Sequence, residues 1–200
     1  MFDAFTSQDV RHFLLAFALA IFGLIFTTVM AKRARKNMGP QHVGFAEKHE
    51  FDGRVSWHCV WMEMAKLLAK GRSCDPRLKV GCVIVSADNT RVFGLGYNGS
   101  WAGGPNEPES LQPGKSGFVH AEVNALIKCD FHTPAEKIMY VTHSPCIDCA
   151  RYIINARISA VYYDQEYRDL SGVELLKNAG IYTAKMSSIV KYDEPQTEIS

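Results

Sequence analysis

The chain has almost no charge imbalance: 22 lysines and arginines stand against 21 aspartates and glutamates, for a net charge of +1. A balance this even creates no broad basic field to draw in a polynucleotide. Beyond the cluster that ends at Lys36 there is no basic stripe either, so no nucleic-acid partner is expected. Internal repeats and low-complexity tracts are also missing. Cysteine is sparse. The six cysteines, Cys59, Cys74, Cys82, Cys129, Cys146 and Cys149, lack the spacing of a small disulfide-stapled scaffold in a chain of 200 residues. This usage points to a reducing compartment, with the first four acting as small hydrophobes. With 47% hydrophobic residues the composition is globular. The length suits one well-buried domain plus an appendage.

That appendage is at the amino terminus. "FLLAFALAIFGLIFTTVM", Phe13 to Met30, carries no charge. At about 1.5 Å of rise per residue it is just long enough to cross a bilayer core as a helix. Only Arg11 precedes the run, whereas Lys32, Arg33, Arg35 and Lys36 follow it. This order is wrong for a cleaved signal peptide and places the rest of the chain on the cytoplasmic side. The expected organisation is an extracytoplasmic terminus over 1–11, a transmembrane anchor over 12–31 and a basic juxtamembrane linker over 32–55. An α/β domain over 56–188 and a tail over 189–200 complete it.

Within the domain the pattern alternates. "SWHCVWMEMAKLLAKGR" predicts a helix from Ser56 whose face carries Trp57, Val60, Trp61, Met64, Leu67 and Leu68. Asp75-Pro76 ends that segment. "VGCVIV", the turn "ADNT" and "RVFGLGY" read as a β-hairpin. "NGSWAGGPNEPESLQPGKSG" holds too much Gly, Pro and Ser for regular structure and reads as a long functional loop. A helix from His120 to about Lys128, a strand "KIMYV" and a helix starting at Pro145 follow. The strand "ISAVYY", the helix "GVELLKNAG" and the strand "IYTAK" end the pattern, with the last two strands parallel because a helix separates them. The fold class is α/β, a five-stranded mixed sheet covered by helices.

The chemistry is concentrated in "HAEVNALIKC", from His120, and "SPCIDC", from Ser144. Ser144 is an expected N-cap and Pro145 an expected first helical residue. Cys146 and Cys149 are then one turn apart near a helix N-terminus, whose partial positive charge favours thiolate. A lone Cys-x-x-Cys reads as readily as a redox pair or half of a zinc knuckle as it does as part of a catalytic zinc site. No second Cys-x-x-Cys or His-x-x-x-His completes a knuckle here, and a redox pair leaves "HAE" without a role. Two thiolates and one imidazole bind zinc tetrahedrally and leave a fourth position for water, as in catalytic sites. Glu122 is not needed as a ligand. A carboxylate beside an activated water can carry its proton elsewhere, and His-x-Glu with Pro-Cys-x-x-Cys is the zinc nucleobase deaminase signature.

"HAE…PCIDC" resembles the cytidine deaminase superfamily. The flanking "RSCDPRLKVGCVIV", "GLGYNGSWAGGPN", "VHAEVNALIKC", "MYVTHSPCIDCARYI" and "AVYYDQEYRDLSGVELLKNAGI" look like its deoxycytidylate (dCMP) deaminase branch. The resemblance runs from about Trp57 to Ile181. It implies a cytidine deaminase-like three-layer fold and hydrolysis of dCMP to dUMP, with one zinc held by His120, Cys146 and Cys149. Glu122 would be the catalytic proton shuttle, to N3 and to the leaving amine. The Ala121 N–H would meet the pyrimidine O2, Asn98 the deoxyribose and Arg77 the phosphate, with Tyr167 near that end and Ser144 among the substrate-binding residues. Asn98 also reads as a turn residue and Arg77 as a solvated charge. The loop between Asn106 and His120 lacks the extra cysteines and histidine that carry a second zinc in some members. Relatives are often homo-oligomers regulated by dCTP and dTTP, so Gly99, Gly103 and Gly104 form a possible effector loop and a homo-oligomer is expected. Two other readings stay open. One is a deaminase acting on a nucleoside, on dCTP, or on a cytosine or adenine in DNA or tRNA. The other is a membrane-tethered nucleotide sensor with little turnover, for which Glu122 has no use.

Overall fold

The computed structural model describes residues 54–189. The expected anchor over 12–31, the segment before it, nearly all of the linker and the tail beyond Ile189 lie outside the described residues. Among the described residues no helix is long and apolar enough to cross a membrane.

Helix α1 spans Trp57–Arg72 and is capped by Ser56, whose side chain accepts a hydrogen bond from the Cys59 amide. Strands β1 (Gly81–Ser86) and β2 (Val92–Tyr97) follow, then helix α2 (Ala121–Ile127), strand β3 (Lys137–His143) and helix α3 (Ile147–Asn155). Strand β4 (Ala160–Gln165), helix α4 (Ser171–Asn178), strand β5 (Tyr182–Lys185) and a last turn of helix α5 (Met186–Ile189) complete the order. The strands form one sheet in the order β2-β1-β3-β4-β5. β1 pairs antiparallel with β2 and with β3, while β3–β4 and β4–β5 are parallel. The expected hairpin, the parallel final pair and the mixed five-stranded sheet are all present. Helix α5 was not anticipated.

The sheet has two core faces. One packs Cys82, Ile84, Met139, Val141 and Val161 against Ala121, Ala125, Ala150, Ile153 and Leu176 of α2, α3 and α4. The other packs Val83, Val85, Ile138, Tyr140 and Tyr162 against Trp61, Met62 and Ala65 of α1 and Met186 of α5. The buried stripe of α1 is Trp61, Met62, Ala65 and Ala69, with Trp57 54% and Leu67 70% exposed. Val60, Met64 and Leu68 of the expected face pack against this core beside buried Trp61, and only Trp57 and Leu67 fall outside it. The cause is a close approach to β1: a Cβ on Gly81 would lie 2.0 Å from the Ala65 carbonyl oxygen and 2.8 Å from the Ala69 nitrogen. Only small residues on the helix permit that contact, so alanines rather than Leu67 face the sheet.

Helix α2 is seated on β2 in the same way. A Cβ on Gly96 would fall 2.0 Å from the Ala121 oxygen and 2.5 Å from the Ala125 nitrogen, and one on Gly94 2.5 Å from the Ala125 oxygen. The preceding loop is closed at its base by paired hydrogen bonds between Gly99 and Val119, 3.2 and 2.8 Å long. The Asn124 side chain donates to the Tyr97 oxygen at 2.9 Å and ties α2 to the end of β2. These contacts fix where His120 and Glu122 sit.

Gly96→Ala should therefore displace α2. Overpacking costs about 1–3 kcal/mol in flexible cores, and a clash with backbone should reach or exceed the upper end. Gly71 has no atom within 4 Å of its would-be Cβ, so Gly71→Ala should hold or gain up to about 1 kcal/mol of stability. Thermal denaturation of both variants, compared with the native chain, checks the opposite signs.

Candidate active site

Two helix starts meet at the site. His120 is the N-cap of α2 with extended backbone (φ −67°, ψ 153°), and its imidazole makes no capping bond. That leaves the ring to face the start of α3, where Cys146 occupies the N-cap and Cys149 the first turn. The cap expected at Ser144 is thus displaced by two residues. Ser144 still belongs to the sheet ladder: its amide donates to the Gln165 oxygen at 2.8 Å, and its Oγ accepts from the Tyr167 amide at 2.8 Å. Helix α4 braces this turn from behind, since a Cβ on Gly172 would lie 2.1 Å from the Pro145 oxygen.

The ligand atoms of His120, Cys146 and Cys149 all lie within 4.8 Å of one another. His120 Nδ1 is 3.2 Å from the Cys149 Sγ and 3.5 Å from the Cys146 Sγ. Zinc–sulfur bonds of about 2.3 Å and zinc–nitrogen bonds of about 2.0–2.1 Å in a tetrahedron set sulfur and nitrogen about 3.5 Å apart. The trio fits that requirement. Burial grades from His120, which is open to the cleft, through half-buried Cys146 to buried Cys149. The side that stays accessible is therefore the cleft side. Among the described residues this is the one cluster of its kind, and it is a site for a single zinc.

The electrostatics point the same way. The hydrogen bond from Cys149 holds the Cys146 thiol down to about 3, helped by the nearby His120. That same bond, together with burial, pushes Cys149 well up. The Cys146 contact also raises His120. The pair thus favours a thiolate at Cys146 and a thiol at Cys149, and a bound dication would favour ionising both. Glu122 is 4% exposed, and desolvation raises its carboxyl above the ordinary range, against the pull of His120. Its carboxyl also reaches Cys149.

A cleft of about 210 Å³ opens over this trio. His120, Ala121, Glu122, Ser144 and Cys146 contribute to its wall, and so do Asn98, Arg77 and Tyr167. The structure thus gathers nearly all of the residues expected from the sequence. Gly99, Gly103 and Gly104 do not line the cleft. Gly99 pairs with Val119, and Gly103, at φ +81°, shapes the tight turn behind Trp101. Asn98 does not have the unusual backbone angle of a turn residue. Its side-chain oxygen accepts from Ser73 Oγ at 2.6 Å and from the Val80 amide at 2.8 Å, and its nitrogen donates to the Leu78 oxygen at 2.8 Å. Arg77 is exposed, and its Nη2 donates to the Gln112 oxygen at 3.2 Å.

Among the lining residues that were missed, three are ionisable: Asp75, His143 and Arg168. His143 continues the alternation of Met139 and Val141 toward the α2–α3 face, a period-two signal present in "MYVTH". Burial lowers its pKa, against the pull of Asp164, and so favours the neutral ring. Arg168 lies 5.3 Å over the Tyr167 ring and within 3.1 Å of a Cβ built on Gly114. Arg77 and Arg168 therefore both reach the loop that runs from Gln112 to Gly114.

Comparison with known proteins places this geometry in a family. Residues 55–165 match the model described as "Cytidine and deoxycytidylate deaminase zinc-binding region". The chain is 38% identical over 135 residues to ComE operon protein 2 of Bacillus subtilis, covering 64% of this chain and 70% of that protein. It is 35% identical over 146 residues to the deoxycytidylate deaminase of Saccharomyces cerevisiae, covering 67% of this chain but only 46% of the yeast protein. The crystal structure of dCMP deaminase from the cyanophage S-TIM5 in complex with dCMP and dUMP is similar at a TM-score of 0.56 and 31% identity. That match covers 66% of this chain and 100% of the phage chain. The family model takes in Glu122 and all three metal-ligand candidates, and the chain belongs to the cytidine and deoxycytidylate deaminase family.

Proposed function

We propose that the chain hydrolyses dCMP to dUMP and ammonia, a pyrimidine-nucleotide reaction that supplies dUMP for dTMP synthesis. The observation that carries this reading is a buried carboxyl, Glu122, beside a His/Cys/Cys trio whose His120 and Cys146 line a cleft with two arginines in its wall. The names of the relatives and the dCMP- and dUMP-bound phage neighbour support the substrate.

His120, Cys146 and Cys149 hold the zinc, which when bound lowers the pKa of a water at its open position to about 7. Glu122 accepts the proton given up by water and delivers it to N3 of the pyrimidine. It then carries the remaining proton of the hydroxyl added at C4 to the amine, which leaves as ammonia as the C4–N bond breaks. Its burial suits both halves of that task, because desolvation brings a carboxyl closer to the pH at which it must give and take protons. Ala121 opens α2, so its N–H has no partner in the helix ladder and is free to donate to the pyrimidine O2. Asn98 stands at the sugar position. Arg77 grips the phosphate with a planar fork that lysine cannot imitate, and Tyr167 and Arg168 close the same end. A base within DNA or tRNA offers a phosphodiester monoanion where dCMP offers a terminal dianion, so two arginines suit the free nucleotide better, and a sensor has no use for Glu122.

The same proposal includes the anchor over 12–31, supported by the charge-free run and the basic cluster after it, with the catalytic domain on the cytoplasmic side. A homo-oligomer and dCTP or dTTP effectors are proposed on the resemblance alone.

Cys149→Ala removes one of three ligands and should strip zinc and weaken the fold. Glu122→Ala should keep zinc yet lose turnover at or beyond the upper end of the 10²–10⁴-fold range of general acid–base groups. Metal analysis and dUMP formation measured on the same samples separate the two, and near-normal turnover of Glu122→Ala sinks the mechanism. Arg77→Ala should raise KM for dCMP by about tenfold or more, since hydrogen bonds to charged groups contribute roughly 1.5–3 kcal/mol each. Deoxycytidine should be a poor substrate for both the native and the Arg77→Ala proteins; parity between deoxycytidine and dCMP counts against the phosphate reading. For the anchor, carbonate washing should leave the full-length chain in the membrane fraction, and its recovery in the supernatant refutes the tether.

A further inference from the structure

The wall that carries Arg77 has no regular secondary structure over residues 73–80, which join α1 to β1. Two polar side chains are nevertheless buried there, Ser73 at 6% and Asp75 at 6% exposure, and they meet a third, Asn98 at 7%, which follows β2. Buried polar groups are costly unless they are paired, and these are paired with one another and with the backbone on both sides of Arg77. Asp75 Oδ1 accepts from the Arg77 amide at 2.8 Å and from the Leu78 amide at 3.2 Å. Ser73 Oγ accepts from the Asp75 amide at 3.3 Å and donates to Asn98 Oδ1 at 2.6 Å. Asn98 Nδ2 then returns to Asp75 Oδ2 at 3.4 Å and to the Leu78 oxygen at 2.8 Å. Pro76, with φ fixed by its ring, stands between Asp75 and Arg77. The backbone around Arg77 is thus held at three points: its own amide, the next amide and the next carbonyl.

We propose that Asp75, supported by Ser73 and Asn98, is a positioning residue that pre-sets Arg77 for the 5′-phosphate and so fixes the preference for a nucleotide over a nucleoside. This rests on the reading of Arg77 as the phosphate contact. The carboxylate lies in the cleft wall, where its negative charge opposes a phosphate. Its oxygens, however, are taken up by two backbone amides and the Asn98 amide, so its charge is spent on the loop. A guanidinium on an unfixed loop is ordered only when substrate binds, and that ordering weakens binding. Because the phosphate is remote from C4, the benefit of holding Arg77 in advance is uniform binding, which acts on KM more than on kcat. Asn98 joins the sugar end of the cleft to this loop, so a polar residue expected to touch substrate also braces the neighbouring contact.

The test is a set of kinetic comparisons on the zinc-loaded chain with dCMP and deoxycytidine, with zinc content and melting temperature measured for every variant. Asp75→Ala should raise KM for dCMP about tenfold, equivalent to ~1.4 kcal/mol, with a smaller change in kcat and a fall in dCMP-over-deoxycytidine selectivity. Asp75→Asn keeps an Oδ1 acceptor for the two amides and should recover most of the loss. The Arg77→Ala/Asp75→Ala double variant should be hardly worse on dCMP than Arg77→Ala alone, because the two side chains act through one contact. Equal losses on both substrates, or losses that add in full in the double variant, overturn the proposal. If Asp75→Ala does not fold, Ser73→Ala carries the same test, with a smaller rise in KM for dCMP expected and an unchanged KM overturning it. An effect of Arg77→Ala on dCMP without any effect of Asp75→Ala rejects the positioning role alone. No effect of Arg77→Ala rejects the phosphate reading and this role with it.

Discussion

Two sulfurs and a carboxyl converge where the starts of α2 and α3 meet, and such crowding of acidic groups is favourable only around a cation. The Cys149 hydrogen bond holds the Cys146 thiol down to about 3, while burial helps push Cys149 and Glu122 up. A bound dication would ionise both thiols at once and tie two helices from different parts of the chain together. Zinc binding and the stability of this corner are therefore linked. Glu122 benefits without joining the coordination, because the same burial that raises its pKa suits it to proton transfer.

The rest of the fold serves to bring the two helix starts to that distance. Backbone contacts at Gly94 and Gly96 seat α2 on β2, and Gly172 lets α4 press against the Pro145–Cys146 turn. These contacts tolerate no Cβ, so the position of His120 is set by main chain rather than by adjustable side chains. On the opposite face α1 closes over β1 through Ala65, Ala69 and Gly81. One face of the sheet carries the chemistry and the other supplies a stable floor.

Much of this was legible in the sequence because local chemistry decided it. Ser56 caps α1, "ADNT" turns the hairpin, and the helix between β4 and β5 makes those strands parallel. The zinc trio was legible because imidazole and two thiols at those spacings have few other uses. What escaped depended on tertiary packing. Trp57 and Leu67 look like core by periodicity, but the alanine–glycine contact turns them outward. Ser144 looks like an N-cap, but the sheet ladder claims its backbone and the cap moves to Cys146. Asn98 was expected at the sugar and does line the cleft, yet its bonds to Ser73, Leu78 and Val80 required coordinates to see. Arg168 lay one residue past Tyr167, and nothing local distinguished it from a solvated charge.

The cleft couples the two ends of the proposed reaction, proton transfer at Glu122 and phosphate recognition at Arg77, through a wall built from a loop and a helix start. The account is tested most directly by incubating the purified chain with dCMP, measuring dUMP, ammonia and bound zinc together, before and after the metal is chelated and restored. It predicts one zinc per chain, equal amounts of dUMP and ammonia, loss of both with the metal, and recovery on zinc addition. Undiminished dUMP formation by the zinc-free chain, or no dUMP from the fully zinc-loaded one, would contradict it.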